Sequence, residues 1–199
     1  MRTAQFLSIA LLSLSPFVVQ AADVHSFVGA RYSNSVSGEY TLDLDDGDSE
    51  FTGDLNSKAF GIYFGRTNKR NNRWLLGYES RTFDFDGGDS EDAAGLRADI
   101  HFVWGEGKKL QPYLGVGAGL YRLSDALLLQ GTDKEGDSLS GFAFQMGLGA
   151  KYIASEKVEL DIAFERQAIV WEEVEVFDSL VVNSAYVHNS LVLGAAFNF

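Results

Sequence analysis

Apolar residues recur at every second position over eight stretches of the chain, the period of strands with two unlike faces. The stretches are residues 24–32, 59–65, 73–83, 94–104, 111–123, 139–153, 158–171 and 185–199. The fourth is the clearest: Leu96, Ala98, Ile100, Phe102 and Trp104 alternate with Arg97, Asp99 and His101. In the sixth, Phe142, Phe144, Met146, Leu148, Ala150 and Tyr152 alternate with Gln145, Gly147, Gly149 and Lys151. The second, 59–65, is the shortest. A tilted membrane strand needs about 9–11 residues, and the eight segments meet or approach that length.

The connections alternate in length. Residues 68–72, 105–110 and 154–157 read as tight turns, while 33–58, 84–93, 124–138 and 172–184 are longer. Tight turns on one side and long loops on the other predict an up-and-down ring of antiparallel strands, with both termini on the turn side. Two long connections keep alternating, through Tyr40, Leu42 and Leu44 and through Val170, Val174 and Val176. They predict strands that continue past a membrane surface, with Asp46-Gly47 as a hairpin tip.

The two faces identify the solvent. Gly61, Gly65, Gly115, Gly117, Gly119, Gly147, Gly149 and Gly194 all lie opposite the bulky apolar set. Such residues supply too little volume to pack a soluble core, but a narrow lumen filled by charged side chains accepts them. A water-soluble barrel would instead turn its apolar alternates inward. The expectation is an all-β, eight-stranded antiparallel up-and-down transmembrane β-barrel, with short periplasmic turns and long acidic extracellular loops. Trp74, Trp104, Tyr152, Phe197 and Phe199 fall near the turn side and Tyr32 and Tyr78 nearer the loop side, as aromatic girdles do.

Composition refines this picture. Arg2, an apolar run at 6–14 and Val19-Gln20-Ala21 predict a cleaved secretory signal peptide over 1–21, leaving 22–199 as the barrel domain. Beyond it no run of about 18 apolar residues offers a helical span. The chain has no cysteine, so an exported fold must be held by other means, and a closed hydrogen-bonded ring is one. The formal charge of −12 becomes −13 once Arg2 leaves with the leader. That acidity excludes nucleic-acid binding and attachment to anionic lipid by a polybasic patch.

The terminal run Leu191-Val192-Leu193-Gly194-Ala195-Ala196-Phe197-Asn198-Phe199, with Gln111-Pro112-Tyr113-Leu114-Gly115-Val116-Gly117-Ala118-Gly119, resembles the small OmpA/OmpX-type and opacity-type barrels. The resemblance spans the mature chain, and its motifs are architectural. It implies a place in the outer membrane of a Gram-negative bacterium, among its lipid and lipopolysaccharide. It also implies that Leu191, Leu193, Phe197 and Phe199 form the insertion signal met by the barrel-assembly machinery. Adhesins, envelope-stabilising proteins, resistance factors and a few enzymes share this fold, so the resemblance carries architecture and not activity.

The lumen-facing set holds Arg31, Arg81, Arg97 and Lys151 against Glu79, Asp99, Glu159, Asp161 and Glu165. At about eight strands the interior is just wide enough for side chains to fill. An ion-pair network is expected, above all between Glu79 and Arg81 and their neighbours Arg97 and Asp99. It reads as a plug, with a gated pore or proton path as the alternative. His188-x-Ser190 puts two catalytic residue types on one face, as in some small outer-membrane lipid A deacylases, although the flanking residues do not repeat that motif. His101 belongs near the opposite end. No cysteine-based metal arrangement exists, and no cofactor is expected.

The acidic runs 43–50 and 84–92 resemble calcium loops in composition without the EF-hand register. They read as solvated tips that keep hairpins apart, the sharper alternative being divalent cations bridging to lipopolysaccharide phosphates. Lys69, Arg70, Arg73, Lys108, Lys109 and Lys157 lie in or beside the tight turns. The leading reading is a non-enzymatic barrel with a structural or surface-interaction role. A narrow channel for small or hydrophobic solutes and a lipid A-modifying enzyme are the alternatives.

Overall fold

A computed structural model describes residues 24–44, 49–124, 126–176 and 180–199. The expected leader and the Asp46-Gly47 tip lie outside the described residues. Nine strands follow in chain order: β1 Ser26–Leu44, β2 Ser49–Thr67, β3 Arg73–Phe85, β4 Ser90–Val103, β5 Leu110–Ser124, β6 Leu139–Ile153, β7 Val158–Trp171, β8 Val174–Val176 and β9 Leu180–Asn198. All pairings are antiparallel, each long strand lies beside its neighbours in sequence, and β1 pairs with β9 to close the ring. Eight long strands make the barrel. The short β8 folds back on β9 outside it.

The ring is staggered. One row of paired residues starts at Val28 and runs through Phe64, Leu76, Ala98, Ala118, Phe144, Ala168 and Val187. It returns to β1 at Glu39, one bulge and several residues nearer the loop side. Closing a sheet demands this shear and tilts every strand against the barrel axis.

Polarity in the middle of the barrel follows the alternation. Phe60, Ile100 and Leu193 point outward with 57%, 48% and 50% of their surface exposed, and Val116 is half-buried on the same outer face. Soluble proteins do not expose a continuous apolar ring of this extent; hydrocarbon is the solvent that suits it. The girdle residues Trp74, Trp104, Tyr152 and Phe199 are exposed toward the turn side, and Tyr32 and Tyr78 toward the loop side. Leu191, Leu193 and Phe197 also point outward.

Toward the loop side the strands run on past the belt, as the alternation through Tyr40, Leu42 and Leu44 predicts, and they do so in further places as well. β2 spans 19 residues and is not the shortest. The connection 84–93 shrinks to a turn in which Gly87 and Gly88 take positive φ angles of 125° and 93°, conformations that glycine reaches without strain. Among the described residues connections 33–58 and 172–184 are thus mostly strand, whereas 126–138 holds turns and one 3₁₀ turn. Past the apolar belt the two faces exchange roles. Ser80, Thr82 and Asp84 take the outer face of β3 while Phe83 turns inward. Leu55, Leu123, Leu139, Ile169, Trp171, Val182 and Tyr186 join Phe83 in a buried cluster. This end of the molecule packs as a soluble barrel does. Val170 does not share a face with Val174 and Val176: it points outward, whereas Val174 and Val176 pack toward the cluster after the break at Glu172-Glu173.

Candidate functional site

Inside the belt the small alternates leave room for long charged side chains. A Cβ on Gly117 would lie 2.6 Å from Nε2 of Gln145, so the bare backbone there admits the bond that Gln145 donates to Asp99 at 3.0 Å. Around this point Arg97 donates to Asp99, Glu79 and Glu165. Arg31 reaches Asp99 at 3.2 Å and Glu79 at 4.0 Å. Arg81 pairs with Glu79 at 2.7 Å.

Next toward the loop side, a layer of neutral partners crosses the lumen. Nη1 of Arg81 donates to Oγ of Ser57 at 2.9 Å and to Nε2 of His188 at 2.8 Å. The Tyr121 hydroxyl donates to Glu79 at 2.9 Å and accepts from Gln167 at 3.3 Å. Residues from β2, β3, β5, β7 and β9 therefore meet on the axis. His188 and Ser190 are buried to 1% and 2% exposure, with the His188 ring engaged by Arg81.

A second cluster sits at the turn side. Glu159 is paired with Arg73 at 3.2 Å and with Lys151 at 3.5 Å. Arg73, the first residue of β3 beside the 68–72 turn, is buried, with its guanidinium 3.8 Å from the Phe27 ring centroid. Among the described residues Asp161 forms no ion pair. It accepts a 2.9 Å hydrogen bond from Tyr113, whose ring stacks on His101 at 4.3 Å. With Arg73 added, five cationic residues face five acidic ones in the lumen below the external cluster, among the described residues. A paired interior of this kind avoids the heavy cost of an isolated buried charge. A cavity of about 30 Å³ remains between Arg31, Arg73, Asp99, His101, Tyr113 and Asp161, room for only a water or two.

Above the belt, Glu91 departs from the solvated reading of its acidic run. It is buried, accepting from the Tyr186 hydroxyl at 2.7 Å and from the Leu127 N–H. Leu127–Leu129 form one 3₁₀ turn whose Leu129 enters the apolar cluster. Burial pushes the Glu91 carboxyl above the usual range, against the lowering pull of these two donors. Among the described residues no group of three or more His, Cys, Asp or Glu is arranged to hold a metal ion; residues 45–48 of the first acidic run lie outside them.

Sequence reasoning passed over Arg73, Tyr113, Tyr121, Gln167 and Glu91 as members of this interior, and placed Gln145 on the inner face without a partner. Parity was the available signal. Each lies an even number of positions from an inward residue on its own strand.

No protein-family model matches the chain, and no curated protein matches it. Solved structures do. Neisserial surface protein A (NspA) aligns with a TM-score of 0.54 at 15% identity, over 87% of this chain and 97% of that one. The outer membrane protein OprG from Pseudomonas aeruginosa gives 0.49 at 14%, over 88% and 95%. Ail, the attachment invasion locus protein of Yersinia pestis, gives 0.47 at 14%, over 89% and 100%. At these identities the likeness speaks for fold. The likeness to NspA, with the exposed apolar belt, gives the chain the fold of a small eight-stranded outer-membrane β-barrel.

Proposed function

We propose that the chain works as a closed, non-enzymatic barrel of the outer membrane, with a structural or surface-interaction role carried by its external β-extension. One observation carries this reading: two successive fillings occupy the axis, an ion-paired one within the belt and an apolar one beyond it. A solute would have to break both. The extension presents Glu39, Asp43, Glu50, Asp54, Asp86 and Asp92 on its outside, a surface suited to hydration and to basic partners. Burial of His188 and Ser190 inside the lumen speaks against acyl-chain chemistry at that pair.

The test is single-channel recording in planar bilayers with the refolded full barrel. A silent membrane is the expected result; a stable, reproducible conductance would replace this reading with the narrow channel. Lipid A mass spectra that change between wild type and His188→Ala would replace it with the lipid-modifying enzyme.

A further inference from the structure

On the outer face of β7 the exposed apolar series Val158, Leu160, Ile162 and Phe164 is interrupted by Arg166 and resumes at Val170. Arg166 pairs in the ladder with exposed Met146 on one side and with Asn189 on the other. Among the described residues no carboxylate joins it, and its one hydrogen bond runs from Nη1 to Oδ1 of Asn189 at 3.4 Å. On the loop side two other outward strand cations differ: Lys58 is paired with Asp84 at 3.1 Å and Arg122 donates to Ser138 at 2.9 Å.

The stagger of the ring sets the depth of Arg166. Its row of paired residues includes Trp74 of the turn-side girdle on β3, then climbs through Ile100, Val116 and Met146. Beyond Arg166 it continues to Asn189 and to Ser37 of β1, where the Asn189 amide donates to Ser37 Oγ at 3.0 Å. Ser37 stands at the bulge that re-aims β1, a device found at barrel rims. Guanidinium, carboxamide and hydroxyl therefore line up across three adjacent strands, at the loop-side margin of the belt.

We propose that this row binds the phosphorylated sugar headgroup of an outer-leaflet glycolipid, with Arg166 taking the phosphate. Arginine offers five N–H donors in a fixed fork that matches phosphate two at a time, and Arg166 uses one of them within the protein. Asn189 and Ser37 supply the neutral donors and acceptors that a neighbouring sugar requires. Apolar side chains flank the exposed guanidinium on the outer face, Phe164 below and Ala168 and Val170 above, and a lipid headgroup is the counter-charge that such a wall offers it. The inference rests on the proposed orientation, in which the loop side faces the outer leaflet.

Native mass spectrometry of the full barrel in detergent tests it, with diphosphorylated lipid A, monophosphorylated lipid A and phosphatidylglycerol as probes. Wild type is expected to retain diphosphorylated lipid A best, and Arg166→Gln to weaken that by about tenfold. Arg166→Lys should recover only part, since an ammonium lacks the fork. Arg166→Leu should fold at least as well as wild type, because it removes a cation from a lipid-facing wall, and still fail to retain the glycolipid. Equal retention by wild type and Arg166→Gln overturns the site. So does equal binding of phosphatidylglycerol, or a dimer lost in Arg166→Gln while lipid binding persists. Labelling of an Asp86→Cys variant on intact cells by an impermeant thiol reagent checks orientation separately. No labelling overturns the orientation and this inference with it; labelling with unchanged lipid retention overturns this inference alone.

Discussion

Arg97 on β4 and Glu165 on β7 face each other across the barrel, joined by parallel hydrogen bonds of 3.0 and 2.7 Å. The same guanidinium donates to Asp99 at 3.0 and 2.9 Å and to Glu79 at 3.2 Å. All five of its N–H donors are used; Asp99 and Glu79 are shared with Arg31 and Arg81, whereas among the described residues Glu165 is paired with Arg97 alone. Arg97→Met should destabilise the barrel by about 3–5 kcal/mol, because it strands buried negative charge. Adding Glu165→Gln should return part of that loss. Urea unfolding in lipid vesicles measures both, and a double variant no better than Arg97→Met would refute the coupling.

Tyr113 reaches Asp161 by passing over Gly149. A Cβ at position 149 would meet the Tyr113 ring and hydroxyl. Gly149→Val should therefore push the ring off Asp161 and cost about 1–3 kcal/mol by overpacking. Tyr113→Phe keeps the ring and removes only the donor, so it should cost less, about 1 kcal/mol for the single hydrogen bond. The order of the two urea midpoints is the readout.

Glu91 gives the external core a pH dependence of defined sign. Burial raises its folded-state pKa above the unfolded value. Its stabilising contribution is thus fully present below the ordinary carboxylate pKa and fades as pH climbs through the raised one. The near-UV signal of Trp171, which lies 5.6 Å from Tyr186, should melt at higher temperature near pH 5 than near pH 7.5. Glu91→Gln should flatten that difference. An unchanged difference in the variant would assign it to other groups.

These cases mark how far the sequence could be read. Alternation alone located the belt and its lumen-facing partners, since Ile100 and Asp99 can only take opposite sides of one strand. Arg73 was lost because it follows a turn and looked like a solvated cation, although the outward Trp74 beside it requires it to point inward. Glu91 was lost to the acidity of its neighbours. The inverted core escaped for a deeper reason. Phe83 keeps the inward parity of Glu79 and Arg81, so periodicity is blind to the change of solvent. The cue was on the other face, as on β3, where Tyr78 gives way to Ser80, Thr82 and Asp84, and on β5, where Leu120 gives way to Arg122 and Ser124.

Two fillings in series predict a non-additive response to opening either one. Leu129 is fully buried in the external cluster, so Leu129→Ala should loosen that cluster by about 2–5 kcal/mol. Current should stay absent, because the Arg97 network still crosses the axis beneath. Removing Arg97 and Glu165 together keeps the charge balance while opening the ionic layer. That double variant should also stay silent while the Leu129 cluster is intact. Only the triple variant is expected to conduct in planar bilayers. Current through the double variant alone would mean that the apolar end does not close the lumen, and the external β-extension would then serve display without sealing.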